Sequence, residues 1–181
     1  MATMLSEHEL TFTPDYRFFV VRDQDCDAAE GGSDALEQAE HTVAATTPYE
    51  LYVLAAQDLL RVRALLQVWN GQPPPVAPPW TTALDDLLRC PSGIVQMGDV
   101  TGNAIGGIGL DAGPGVYRVR LSHCGREQAV AELQRLDPHA ATLPLEQLAA
   151  VYEPLAGIEQ YLVQLSYHGP LPPDEDDDDE D

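Results

Sequence analysis

The sequence predicts a mainly β fold, a two-sheet antiparallel β-sandwich of jelly-roll-like character with one or two helical insertions. Three observations carry that expectation. Short segments alternate apolar and polar residues with a period of two, glycine- and proline-rich turns separate them, and few stretches sustain a helical period. At 181 residues the chain suits a single domain with a full core. We place that domain at residues 1–169 and read residues 170–181 as a disordered Pro-rich and acidic tail.

The first segment, "LTFTPDYRFFVVRD", is rich in β-branched and aromatic residues and reads as a strand bent at Pro14. The polar stretch after it, "QDCDAAEGGSDALEQAEHT", reads as an acidic loop over about 23–41, with at most one helical turn after Ser33. "YELYVLAAQ" and "RVRALLQVW" are expected to form a hairpin, with Val62, Ala64, Leu66 and Val68 on one face; a helix through Leu59, Val62 and Leu66 is the competing reading. The prolines of "NGQPPPVAPPW" end any ladder and define a loop at 70–80.

"TTALDDLLRC" fits a short helix capped by Thr82 or an edge strand, and the alternation does not decide between them. "GIVQMGDV" and "NAIGGIGL" read as two strands joined at "TGN". In "AGPGVYRVRLSHC" a tight turn precedes a strand with Tyr117, Val119 and Leu121 inward and Arg118, Arg120 and Ser122 outward. A helical insertion over about 126–152 follows: "REQAVAELQRL", stopping at Asp137-Pro138, then "LPLEQLAAVY" with Pro144 in its first turn. "EQYLVQLSYH" closes the domain with Tyr161, Val163, Leu165 and Tyr167 on one face.

Charge narrows the function. The net charge is −21, and the acids concentrate between Glu7 and Glu40 and in the terminal run Asp174 to Asp181. Such a chain repels nucleic acid and anionic membrane and steers basic partners toward itself. All positive side chains are arginine. The three cysteines are dispersed and form no C-x-x-C, so they predict neither a disulfide framework nor a zinc site. No signal peptide or membrane span is visible, and a cytoplasmic location is expected.

No motif specifies catalysis. The glycines of "TGNAIGGIGLDAGPG" lack phosphate-loop spacing, the five histidines show no H-E-x-x-H pairing, and Ser92 in "CPSGI" is not in a G-x-S-x-G elbow. No cofactor or metal is therefore assigned. The terminal carboxylates rise about 3.3–3.6 Å per residue when extended, close to the spacing of phosphates along one nucleic-acid strand, yet a like-charged run reads first as a solubilising tail. The acids of the N-terminal half are the better candidates for specific contact. We assign partner binding to Asp23, Asp25, Asp27, Glu30, Asp34 and Glu37, together with Trp69 and Trp80, the tryptophans that flank the Pro-rich loop and have the character of interface anchors.

The order of "LTFTPDYRFFVVRD", "GPGVYRVRLSHCGRE" and "EQYLVQLSY" resembles that of the competence-associated inhibitors of DNA-entry nuclease. In that family a small acidic β-rich protein binds and silences a nuclease. The resemblance implies an inhibitor or immunity-type protein that covers a basic surface of a nuclease or toxin. It transfers no inhibitory residue, and the Pro-rich loop, the helical insertion and the acidic tail depart from the family pattern. A small-ligand-binding or enzymatic sandwich and a structural subunit are the alternative readings, favoured respectively by a deep polar pocket and by exposed apolar patches.

Overall fold

A computed structural model describes residues 1–26, 31–99, 104–140 and 142–173. Among these residues the strands form two five-stranded sheets. The first has the order β1 (Met4–Phe12), β5 (Val62–Trp69), β10 (Gln160–Gly169), β9 (Gly115–Cys124) and β6 (Thr81–Cys90). The second has the order β3 (Ala44–Thr46), β4 (Glu50–Leu54), β2 (Phe18–Asp23), β7 (Ile94–Gly98) and β8 (Ala104–Gly109). Their inner faces meet in one core. Tyr117, Val119, Leu121, Tyr161, Val163 and Leu165 of the first sheet are all buried there, as are Phe19, Val21, Leu51, Val53, Val95 and Met97 of the second. The period-two patterns thus point inward as expected, and each such side chain contributes about 1.5–3 kcal/mol by leaving water.

The bend at Pro14 is the point where the chain changes sheets. Tyr16 and Arg17 take left-handed backbone angles, φ 51 and 67, which turn β1 into β2 across the edge of the sandwich. The Phe12 and Phe19 rings on either side of the bend meet edge to face at 5.6 Å, so the two halves of one apolar run serve both sheets. The Ala55 N–H donates to the Arg17 carbonyl and the Arg17 guanidinium donates to the Ala55 carbonyl, which ties this corner to the end of β4.

Four local expectations change. β4 and β5 are strands but not a hairpin. β4 pairs with β2 and β3 in the second sheet, whereas β5 lies between β1 and β10 in the first, and Ala55 to Arg61 cross between them. The β5–β10 pairing is parallel, the one departure from the antiparallel pattern among the described pairings. Residues 32–42, expected as loop, form α1 (Gly32–Thr42). Only Ala35 and Ala39 are buried beneath it, packed with Ala45 and Leu54 on the outer face of the second sheet, and so small an apolar stripe is hard to see in an acidic stretch. The helix after β9, α2 (Arg126–Ala140), runs past the expected stop at Asp137-Pro138. The proline removes one backbone N–H bond, but only the end of the final turn lies beyond it. α3 (Leu145–Tyr152) follows, with Pro144 just before its first turn.

The ambiguous "TTALDDLLRC" is an edge strand, β6, paired only with β9 among the described strands. "GIVQMGDV" and "NAIGGIGL" pair as β7 and β8. The expected "TGN" turn and the acidic tail from Asp174 onward lie outside the described residues.

Candidate functional site

The surface is built by an unequal use of charge. All nine arginines lie within the described residues. Seven of them, Arg22, Arg61, Arg63, Arg118, Arg120, Arg126 and Arg135, form ion pairs with carboxylates of the same chain. Arg17 donates to the Ala55 carbonyl, and the Arg89 guanidinium lies 5.9 Å from the centre of the Tyr49 ring. Positive charge is thereby spent internally. Asp34, Glu37 and Glu40 stand exposed on α1, opposite the buried Ala35 and Ala39, and none forms an ion pair among the described residues.

The acids assigned from the sequence do not behave as one group. Asp34 and Glu37 share the exposed face of α1, and Glu40, three residues on, extends it. Asp25 is exposed in the segment after β2. Its neighbour Cys26 lies in the field of Glu50 and Arg22, beside Tyr52, and Gly32 at the start of α1 also lies against the Tyr52 hydroxyl. Asp25 therefore sits near the N-terminal end of α1. Asp27 and Glu30 lie outside the described residues.

Asp23 is a correction to the picture of an exposed acidic loop, because it is fully buried. Its carboxylate accepts backbone hydrogen bonds from Asp25 at 3.0 Å and from Ser92 and Gly93 at 3.2 Å. It joins the end of β2 to the turn before β7. Asp23→Asn is expected to destabilise the protein by about 1–3 kcal/mol, since an amide replaces acceptor capacity with donors that face three N–H groups. Asp25→Asn should be near neutral. Urea titrations of both variants check this, and an Asp23→Asn midpoint equal to wild type would refute the structural role.

Trp69 and Trp80 are both half-buried, but the fold does not bring them together. β5 and β6 run in the same direction with β10 and β9 between them, so Trp69 ends its strand at one end of the first sheet while Trp80 precedes its strand at the other. The Pro-rich loop crosses the outer face of the sheet diagonally between them. Arg120 holds it there, donating to the Pro73 and Pro74 carbonyls at 3.3 Å while pairing with Asp85.

Two pockets flank this framework. One, of about 360 Å³, lies between Ala56 and the first turns of α2 at Arg126, Glu127 and Val130. The other, of about 400 Å³, lies where the ends of β5 and β10 meet the turn before β9, lined by Leu5, Trp69, Asp111, Tyr117 and Tyr167 among others. The Tyr117 hydroxyl donates to the Gly113 carbonyl at 2.7 Å, and the Trp69 indole N–H donates to Gln67 at 3.1 Å, which fixes both rings.

A buried polar cluster at the opposite end was not anticipated from the sequence. Glu159, 1% exposed, accepts from the Ala56 backbone at 2.7 Å, from Gln57 Nε2 at 2.9 Å and from the Tyr161 hydroxyl, and pairs with Arg126 at 3.6 Å. Gln57 Oε1 in turn accepts from the backbone N–H groups of Leu59 and Leu60. Arg126 also donates to the Leu54 carbonyl and to the Tyr161 oxygen. Burial, followed by the adjacent Glu159 charge, pushes the Tyr161 phenol up and keeps it a donor. Burial and the Arg126 charge hold His123 below its ordinary value. The cluster locks the crossing segment between the sheets.

Among the described residues no group of three or more His, Cys, Asp or Glu side chains is placed to hold a metal ion, and no helix is long and apolar enough to cross a membrane. No family model and no curated protein matches the chain. Its fold is similar to that of two solved structures. One is the product of crocagin biosynthetic gene J, with a TM-score of 0.51 and 13% identity, over 93% of this chain and 99% of that one. The other is ComJ of Bacillus subtilis, the inhibitor of the DNA-degrading activity of NucA, with a TM-score of 0.53 and 11% identity over the same shares of the two chains. The architecture of this chain is thus similar to that of a nuclease inhibitor.

Proposed function

We propose that the chain is a non-enzymatic, acidic binding protein that inhibits a partner, a nuclease or a nuclease-like toxin, by covering its basic substrate-binding surface in the cytoplasm. The observation that carries this reading is the asymmetry of charge use. Every arginine has a partner inside the molecule, while the carboxylates of α1 and Asp25 have no ion-pair partner among the described residues and face outward. A surface of that sign competes with the phosphate backbone for a groove lined by lysine and arginine, and it raises the rate of encounter with one. The fold likeness to ComJ supports the same class of partner. In this reading Asp25, Asp34 and Glu37 meet the partner, whereas Asp23 serves by holding the loop that carries Asp25.

The test is a plasmid-degradation assay in which the purified chain is titrated into nucleases encoded by the same genome. Cleavage by the partner should cease at a fixed molar ratio and stay suppressed when Mg²⁺ is raised, since excess metal would reverse inhibition by simple chelation. Cleavage that continues at tenfold molar excess for every nuclease tried, or that Mg²⁺ restores, would overturn the proposal.

A further inference from the structure

The pocket of about 400 Å³ at the ends of β5 and β10 is open among the described residues, and its chemistry is specific. Trp69 and Tyr167 supply aromatic surface, Tyr117 forms the floor, and Leu5 stands at the rim. Tyr117 and Tyr167 meet edge to face at 5.5 Å, so the pair is a rigid wall. Asp111 is the one acidic side chain in the lining, exposed and without an ion pair among the described residues. Aromatic faces and a lone carboxylate both favour a cation, and an anion would meet the repulsion of the whole chain.

We propose that this pocket takes an arginine side chain presented by the partner protein, its stem against Leu5 and its guanidinium between the aromatic rings and the Asp111 carboxylate. This rests on the binding reading above and names one contact within it. Three features select that occupant. The volume, about 400 Å³, lies at the low end of the roughly 300–1,000 Å³ range of ligand pockets, enough for one side chain. A guanidinium stacks on aromatic faces and bonds a carboxylate through two N–H groups, whereas an ammonium does only the second as a point charge. The rim is open and mixed: Leu5 is 42% exposed and Tyr167 44% exposed beside the exposed Asn70 and Asp111, a surface that a partner would cover while a free small molecule would leave it wet. The Asp111 charge also helps hold the Tyr117 phenol protonated, after burial and the nearby Cys90 and Tyr167, so its field reaches the pocket floor.

Trp69 provides the readout, because the chain has two tryptophans and Trp80→Phe leaves Trp69 as the sole tryptophan, excited selectively over the tyrosines at the red edge of the absorption band. The full-length Trp80→Phe protein would be titrated with the peptide acetyl-Gly-Arg-Gly-amide and with the same peptide carrying citrulline, which keeps the shape and removes the charge. The expected result is a saturable change in Trp69 emission with the arginine peptide, at least about tenfold weaker with citrulline and weakened similarly by Asp111→Asn. Asp111 is an exposed turn residue, and the citrulline arm needs no variant at that position. No saturable change with the arginine peptide, or equal binding of the citrulline peptide, would overturn the proposal. The peptide titration involves no nuclease, so it can fail while inhibition stands, and inhibition can fail while it succeeds.

Discussion

Glu159→Ala is expected to lower the free energy of unfolding by about 3–5 kcal/mol, the range observed when one member of a buried ion pair is removed. The structural reason is that four donors converge on one carboxylate. Without it the Ala56 N–H loses its acceptor, the Gln57 amide and the Tyr161 hydroxyl keep only the Leu60 and Leu54 carbonyls, and the Arg126 guanidinium remains partly buried beside an empty volume. Gln57 would keep its bond to the Leu60 carbonyl but lose the carboxylate that anchors it to β10, so the segment between the sheets should loosen first. Glu159→Gln keeps the volume and part of the acceptor capacity and should cost less. Denaturant unfolding of both variants reports the loss, and hydrogen exchange at Ala56, Leu59 and Leu60 locates it. Protection at those amides unchanged in Glu159→Ala would show that the cluster does not fix the crossing segment.

The same carboxylate marks the boundary between what alternation makes legible in the sequence and what it leaves hidden. Period-two alternation made β9 and β10 legible because Tyr117, Val119 and Leu121, like Tyr161, Val163 and Leu165, are large apolar residues in phase. Glu159 is in phase with Tyr161, and Asp23 is in phase with Phe19 and Val21, so both belong to the inward face by position. An acid at an inward position next to a strand end was the available signal for a buried anchor. It was hidden for Asp23 by the acids around it, which made the stretch look uniformly solvated.

What could not be read has a physical origin in each case. α1 is held by alanines, and Ala35 and Ala39 give too little hydrophobic contrast for a helical period to stand out. The choice between a β4–β5 hairpin and a change of sheet turns on long-range partners, since β5 is completed by β10, about a hundred residues later. Trp69 and Trp80 look paired because a loop joins them, but parallel strand direction puts them at opposite ends. Trp69 thereby gains its aromatic and acidic neighbourhood of Tyr117, Tyr167 and Asp111.

The exposed acids of α1 should govern the rate of partner association. With Asp34→Asn, Glu37→Gln and Glu40→Gln combined, association with the nuclease identified by titration is expected to slow by about three- to tenfold at low salt, within the range of electrostatic steering, while dissociation changes less. The wild-type rate should itself fall between low and physiological ionic strength, where the Debye length shortens to about 8 Å, and the variant's rate should depend less on salt because fewer charges remain to be screened. These substitutions leave the buried face of α1 intact. The largest structural cost is at Asp34, whose charge in the first turn favours the helix dipole by about 0.3–1 kcal/mol, so a thermal melt separates folding from steering. Asp23 must stay unaltered in this experiment, because its loss would unfold the loop and mimic a binding defect. Adding Asp25→Asn should slow association further, and deleting Asp174 to Asp181 should do less than the helix substitutions if α1 forms the contact. Stopped-flow rates equal for wild type and the triple variant, or slowed only by the deletion, would move the contact from α1 to another acidic segment.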